Sequence, residues 1–246
     1  MKSTALPKLE VPVAEAFTSF QGEGKLAGVP SWFCRLAGCN LRCGWCDTPY
    51  ASWSPESTKR TVASLVGEAA DSGVSHAVLT GGEPMLFDAI EPLCESLHAL
   101  GMHITIETAG TINRDVRCDL MSLSPKLKNS APRPGDPRDP SGTWRRRHER
   151  VRLDTAPLRA LLARHQTRQM KFVVTEPGEL PEIETLLDAL AQGGATVDAS
   201  DVMLMPEGIT RTPVETERWI RAACDARGWA YCPRLHIVAF GNRRGT

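Results

Sequence analysis

Apolar positions along the chain fall into short runs that alternate with longer stretches of helical spacing. The runs at 13–17, 32–37, 76–80, 103–107, 120–123, 170–175, 202–205 and 235–240 have the length and aliphatic character of strands. Between them, Val62, Leu65, Val66 and Ala69 repeat at i, i+3, i+4 and i+7, and Ile183, Leu186, Leu187 and Leu190 do the same. Each set marks the apolar face of a helix. Thr61 stands where it can cap the first of these helices, and Gly73 where it can end it.

Strands alternating with helices predict a parallel sheet covered by helices, wound either as a barrel or in both directions. A closed eight-unit barrel usually takes about 250 residues. The 246 residues here include long loops, so the pattern predicts an α/β fold of the partial, open TIM-type barrel form. Residues 129–150 are rich in Pro, Gly and Arg and nearly devoid of apolar side chains. They predict a flexible surface loop inserted in a single domain over residues 1–246.

Charge removes some classes of partner. Lys plus Arg and Asp plus Glu number 29 each, so no net field draws in nucleic acid or an anionic membrane. The opening MKSTALPKLEVPVAEAF lacks the apolar core and cleavage site of a secretion signal. No run approaches the roughly 18 apolar residues of a membrane helix. A cytoplasmic protein is expected. In that reducing setting, the eight cysteines point to metal binding or chemistry rather than to disulfides.

Three cysteines sharpen the picture. Cys39, Cys43 and Cys46 follow the predicted strand at 32–37, at the end of the sheet where α/β folds bind ligands. Their spacing lets one short loop wrap three thiolates around a centre. Structural zinc needs four ligands, whereas a cubane iron–sulfur cluster held by three leaves one iron open. On the loop alone, zinc completed by a distant Cys or His stays an alternative. Cys34, Cys94, Cys118, Cys224 and Cys232 have no ligand spacing and are expected in the core. A second motif, Thr80-Gly81-Gly82-Glu83-Pro84, ends another strand. Its glycines allow close backbone approach to a ligand, and Glu83 offers an anion to an ammonium group. The same residues could equally be a strand-to-helix turn with a capping Glu. Along the strand at 32–36, Phe33 and Arg35 share one face while Trp32, Cys34 and Leu36 share the other. Arg35, facing inward, would offer a planar fork for a carboxylate.

The CxxxCxxC loop, with Trp45 before its last cysteine, and the downstream GGEP resemble the signatures of the radical S-adenosylmethionine (SAM) superfamily. The resemblance implies a 4Fe–4S cluster on Cys39, Cys43 and Cys46. Its open iron would bind the methionine part of SAM, whose cleavage yields a 5′-deoxyadenosyl radical. Within the superfamily, three segments are similar to the 7-carboxy-7-deazaguanine synthase family: Phe17-Thr-Ser-Phe-Gln21-Gly22-Glu23-Gly24, Pro30-Ser-Trp-Phe-Cys34-Arg35-Leu-Ala-Gly-Cys39 and Cys46-Asp47-Thr48. Weaker likeness continues through Ile106-Glu107-Thr108, Leu123-Ser124-Pro125-Lys126, Met170-Lys-Phe-Val-Val174 and Pro233-Arg-Leu-His236, and is missing at 129–150.

That family turns 6-carboxy-5,6,7,8-tetrahydropterin into 7-carboxy-7-deazaguanine with loss of ammonia, on the route to queuosine. The resemblance implies that Gly81, Gly82, Glu83, Glu107, Ser124 and Lys126 contact SAM. It assigns Gln21, Gly22, Glu23, Arg35 and His236 to the substrate, and Thr48 to Mg²⁺. Ligand preference alone would choose the Asp47 carboxylate for that metal. A flavodoxin-type reductant and a homodimer are further implications. Arg145, Arg146 and Arg147 are expected to be solvated, with docking of an acidic flavodoxin as the alternative. Two rival readings stand. A glycyl-radical activase leaves the Gln21–Gly24 segment and Thr48 unexplained, and a non-enzymatic zinc or cluster module would use metal only to staple a loop.

Overall fold

The computed structural model describes residues 9–246. Among them, nine strands form one sheet: β1 (Glu10–Phe20), β2 (Pro30–Leu36), β3 (Thr58–Thr61), β4 (His76–Gly81), β5 (His103–Thr108), β6 (Leu120–Leu123), β7 (Arg168–Val174), β8 (Val202–Pro206) and β9 (Ala230–Tyr231). Their order is β3-β1-β2-β4-β5-β6-β7-β8-β9. From β2 to β9 every neighbouring pair is parallel and follows chain order. That is the winding of a barrel rather than of a doubly wound sheet. β1 adds antiparallel to β2, and β3 to β1. Since β3 and β9 end the order unpaired with each other, the barrel is open, as the sequence predicts.

Crossover helices α1 (Val62–Asp71), α2 (Ile90–Ala99), α4 (Ala156–Arg164), α5 (Leu180–Gln192) and α6 (Val214–Asp225) cover the outer face. Both apolar stripes lie on such helices: Val62, Leu65, Val66 and Ala69 on α1 are buried, as are Ile183 and Leu190 on α5. Thr61 caps α1 by accepting the Ser64 N–H at 3.1 Å, and Gly73 follows its end with φ +72°. The strands send alternate side chains outward into this layer. Trp32, Cys34 and Leu36 of β2, Ile104 and Ile106 of β5, Met121 and Leu123 of β6, and Met170, Phe172 and Val174 of β7 form one continuous core with the helices. The intervening positions face the barrel interior.

Two expectations are corrected. Residues 235–240, read as a strand, form the short helix α7 (Leu235–Phe240), in which Val238 N–H donates to Arg234 C=O and Gly241 N–H to Ile237 C=O. A short apolar run does not reveal its period, and only Ile237 of this one is buried. The 129–150 segment is not loop throughout, because its second half opens helix α3 (Thr143–Arg152). Propensity favours helix in TWRRRHERVR, and Asp139 anchors its start by accepting the N–H groups of Trp144 and Arg145 at 3.1 and 2.8 Å. Arg145, Arg146 and Arg147 are exposed, as expected.

Candidate active site

One cavity opens at the C-terminal ends of the parallel strands. Every residue implicated from the sequence except Glu83 borders it. Cys39, Cys43 and Cys46 line it from the loop after β2, together with interior positions of the strands. Among these are Arg35 of β2, Thr80 of β4, Glu107 of β5, Ser122 of β6 and Lys171 of β7. The strands are therefore apolar toward the helices, while within the barrel these polar side chains sit beside apolar ones such as Phe33, Val173 and Met205.

Hydrogen bonds and ion pairs link the polar residues of the interior into small groups. Gln21, directly after β1, donates to Glu107 Oε1 at 3.2 Å, and the Thr80 hydroxyl donates to Glu107 Oε2 at 2.9 Å. Lys171 pairs with Glu23 and is 6 % exposed. Burial opposes the charge on Lys171, but the carboxylates of Glu23 and Glu107 overcome it and raise the pKa. Burial would likewise raise the Glu107 carboxyl. Lys171, Thr80, Arg35 and Gln21 together reverse that and hold it below the usual carboxylate range. Arg35 spends its Nε–H on Glu15 at 2.6 Å, and the Tyr50 hydroxyl donates to the same oxygen at 2.7 Å. Among the described residues no hydrogen bond takes up the two terminal nitrogens of Arg35, which lies on the cavity wall.

The loop carrying Gln21 and Glu23 is fixed from three sides. Gly24 N–H donates to the Cys232 thiol at 3.1 Å, Lys25 N–H donates to Gln169 at 2.8 Å, and a Cβ on Gly22 would lie 2.0 Å from His236 Nδ1. His236, on α7, also has Nε2 4.0 Å from Glu23. Cys232 is thus more than an inert core thiol, while Cys34 and Cys94 are buried in the core as expected. Lys126 donates to the carbonyl and hydroxyl oxygens of Ser124 at 3.0 and 2.8 Å, and its amino group lies 5.8 Å from the Trp45 ring centre.

The GGEP turn serves the scaffold more directly than expected. A Cβ on Gly81 would sit 2.1 Å from Leu36 O, and one on Gly82 2.1 Å from Gly38 O. Both glycines border the cavity, but what their lack of a side chain admits is the backbone entering the cysteine loop. Glu83 is fully buried and accepts from Met85 N–H, Thr108 Oγ1 and Ala109 N–H at 3.1, 2.7 and 2.9 Å. Its carboxyl, pushed up by burial, ties the end of β4 to the end of β5 rather than lining the cavity.

The cysteines suit an iron–sulfur centre. All three are free thiols lining the same cavity. Burial pushes the Cys39 thiol up to about 12 and raises that of Cys43, so metal must displace their protons. Donors for anionic sulfur are in place: Leu41 N–H lies 3.4 Å from Cys39 Sγ, and the Ser52 hydroxyl lies 3.1 Å from Cys46 Sγ. Lys126 adds a cation beside Cys43. Asp47 and Thr48 both reach the cavity, Thr48 Oγ1 donating to Asp47 Oδ1 at 3.3 Å.

An open parallel barrel with a three-cysteine loop at its C-terminal rim defines a radical SAM protein. Accordingly, residues 35–125 match the radical SAM superfamily model. The chain is 46% identical to 7-carboxy-7-deazaguanine synthase from Rhodopirellula baltica, over 95% of this chain and 88% of that one. It is 43% identical to the Halobacterium salinarum protein of the same name, over 96% and 93%. The crystal structure of QueE from Escherichia coli superposes with a TM-score of 0.68 at 25% identity, covering 92% of this chain and 95% of that one. The chain belongs to the 7-carboxy-7-deazaguanine synthase family, and it is an enzyme that uses a 4Fe–4S cluster and SAM.

Sequence reasoning missed Lys171, Glu15 and Tyr50. Lys171 alternates with core residues in Met170-Lys-Phe-Val-Val174, which marks it as interior-facing.

Proposed function

We propose that the chain converts 6-carboxy-5,6,7,8-tetrahydropterin to 7-carboxy-7-deazaguanine with loss of ammonia, in the pathway to queuosine. The observation that carries this reading is the unspent guanidinium fork of Arg35, which lines the same cavity as the Gln21–Glu23 loop and the three cysteines. Cluster and SAM, when bound, supply a radical able to take hydrogen from the carbon bearing the substrate carboxylate. The chain's own residues do the rest. Arg35 holds the carboxylate with two parallel hydrogen bonds, oriented by Glu15. Gln21, Glu23 and His236 hold the pterin edge. Glu107, bonded to Gln21, joins the side that grips the SAM ribose to the side that grips substrate. Gly81, Gly82, Ser124 and Lys126 complete the SAM side, with Glu83 buried behind the two glycines and holding their turn in place.

Mg²⁺ binds at Thr48 together with substrate oxygens and water, with Asp47 as the neighbouring anion. A flavodoxin-type protein supplies the electron, the chain works as a homodimer, and it is cytoplasmic. The eight free thiols agree with a reducing compartment. No helix among the described residues is long and apolar enough to cross a membrane.

The test is anaerobic turnover by the reconstituted enzyme with dithionite, Mg²⁺, SAM and carboxytetrahydropterin. Product of the mass of 7-carboxy-7-deazaguanine is expected, with less than one equivalent of 5′-deoxyadenosine. SAM cleavage with no such product would overturn the substrate assignment. Thr48→Ala should weaken the Mg²⁺ response more than Asp47→Asn does, and the reverse order would move the metal to Asp47.

A further inference from the structure

The family resemblance leaves 129–150 without a role, yet this segment folds directly against the cysteine loop. Its hydrogen bonds are made to the backbone of that loop. The N–H of Arg42, between the first two cysteines, donates to His148 Nδ1 at 3.1 Å. The other ring nitrogen of His148 lies 2.9 Å from the Ser130 hydroxyl, which donates onward to Leu127 C=O. His148 and Ser130 are both fully buried. Burial pushes the His148 imidazole down to about 4, so at neutral pH Nδ1 is free to accept and Nε2–H to donate.

The same grip is repeated along the loop. Gly44 N–H donates to Ser130 C=O at 2.8 Å, and Arg138 donates to Gly44 C=O at 3.0 Å. Arg42 is 8 % exposed, and its guanidinium donates to Cys39 C=O at 2.7 Å and stacks 3.8 Å from the Trp144 ring centre on α3. Trp53, under Arg138, donates to Cys43 C=O at 2.8 Å. A loop of three ligand thiols that must enclose a cluster loses entropy when it orders. Bonds supplied from outside the loop meet that cost before the metal arrives.

We infer that residues 128–152 are a clasp that presets the Cys39–Cys46 loop for its cluster, with His148 as the central positioning residue. This rests on the reading of Cys39, Cys43 and Cys46 as cluster ligands. His148 touches neither cluster nor substrate and acts only through the backbone of Arg42.

The test compares His148→Leu, which removes the acceptor, with His148→Asn, whose carbonyl oxygen can reach the position of Nδ1. In metal-free protein, hydrogen–deuterium exchange over residues 39–46 should be about tenfold faster in His148→Leu, the worth of one buried hydrogen bond. Exchange in β4 and β5 should not change. After anaerobic reconstitution, the same variant should lose its cluster absorbance to a chelator about tenfold faster and give a broadened electron paramagnetic resonance signal when reduced. His148→Asn should recover most of both effects. Should His148→Leu fail to fold, Trp144→Leu breaks the stack on Arg42 and permits the same measurements. Unchanged exchange over 39–46 in a folded variant overturns the clasp. A Cys39→Ala protein that keeps its cluster would refute the ligand reading instead, leaving the metal-free exchange result standing.

Discussion

Arg35 shows how one residue is tuned by neighbours that never meet the substrate. Glu15 takes its Nε–H and holds the plane of the fork, leaving the terminal nitrogens for a carboxylate. Lysine keeps the charge but has neither the plane nor the second parallel bond. Arg35→Lys should therefore raise KM for carboxytetrahydropterin about tenfold or more, the worth of a charge-assisted hydrogen bond; an unchanged KM would put Arg35 outside the substrate site. Lys171 is the opposite case, since its task is inside the protein. It neutralises Glu23 and Glu107, and Lys171→Met would leave buried carboxylates uncompensated. Urea unfolding should show a loss of about 3–5 kcal/mol at neutral pH. In the wild type the depressed Glu107 pKa stabilises the fold above the unfolded carboxylate pKa, about 4.3, and that stability is lost as pH falls through the lower folded value. Without Lys171 the largest of the contacts that hold the Glu107 pKa down is lost, so the deficit should narrow as the medium is acidified. A deficit independent of pH would mean that only packing was lost. Arg35 was legible because strand alternation gives its face. Lys171 lies in an equally regular strand, but a lone lysine reads as a solvated residue until the strands that bring Glu23 and Glu107 to it are known. Glu83 misled in the other direction: an acid after two glycines suggests a ligand contact, and only the adjacency of β4 and β5 reveals Thr108 and Ala109 as its partners.

At the scale of elements, the strand ends are joined backbone to backbone. Gly82 N–H donates to Leu36 C=O at 2.9 Å and Glu83 N–H to Gly38 C=O at 2.8 Å, so the turn after β4 is seated on the entry to the cysteine loop. Gly82→Ala would force a methyl group to within 2.1 Å of Gly38 O and 2.6 Å of Ala51 O, both backbone atoms with little room to yield. Overpacking of this kind should destabilise by about 3 kcal/mol or more and abolish cluster incorporation. Gly67→Ala, inside α1 where a Cβ meets nothing within 4 Å, is the control and should stabilise by about 0.5–1 kcal/mol through helix propensity. Lower in the sheet, His76 stitches β2 to β5, with Nδ1 2.6 Å from the Ser31 hydroxyl and Nε2 2.9 Å from that of Thr105. Burial and the neighbouring His103 push its pKa down to about 4. Its neutral form is favoured by folding, so the stability it confers is present above the unfolded value of about 6.5 and drains away as pH falls toward 4. His76→Gln, which keeps polar atoms but cannot titrate, should flatten the melting temperature across that window; an unaltered slope would place the titration elsewhere. Most strands were legible from their apolar runs because each is a separate buried segment. The helical nature of 235–240 was not, because six residues show no period. α3 was hidden because its buried contacts are polar ones, made by His148 and Arg152.

For the molecule as a whole, the decisive question is whether the metal centre holds the fold or only occupies it. The core is a continuous layer from α1 and α2 across the strands to α5 and α6, and none of the three cluster cysteines belongs to it. Burial of this kind, at roughly 25 cal/mol per Å² of apolar surface, stabilises a chain of 246 residues without help from a metal. A zinc-stapled module behaves differently, because binding free energy is then folding free energy and the metal-free chain is unfolded. Cys39→Ala separates the two. The thiol is removed at the rim of the barrel, next to a cavity, so packing changes little. The variant should be colourless after reconstitution and unable to cleave SAM. It should nevertheless keep its circular dichroism spectrum and a cooperative melt within about 4 °C of the metal-free wild type, the shift that about 1 kcal/mol produces in a chain of this size. The same should hold for Cys43→Ala and Cys46→Ala, while Cys94→Ala, on the buried face of α2, should lower the melting temperature but retain the brown colour. If loss of Cys39 unfolds the protein, the cysteine loop is a structural staple and the enzyme reading of this rim fails with it.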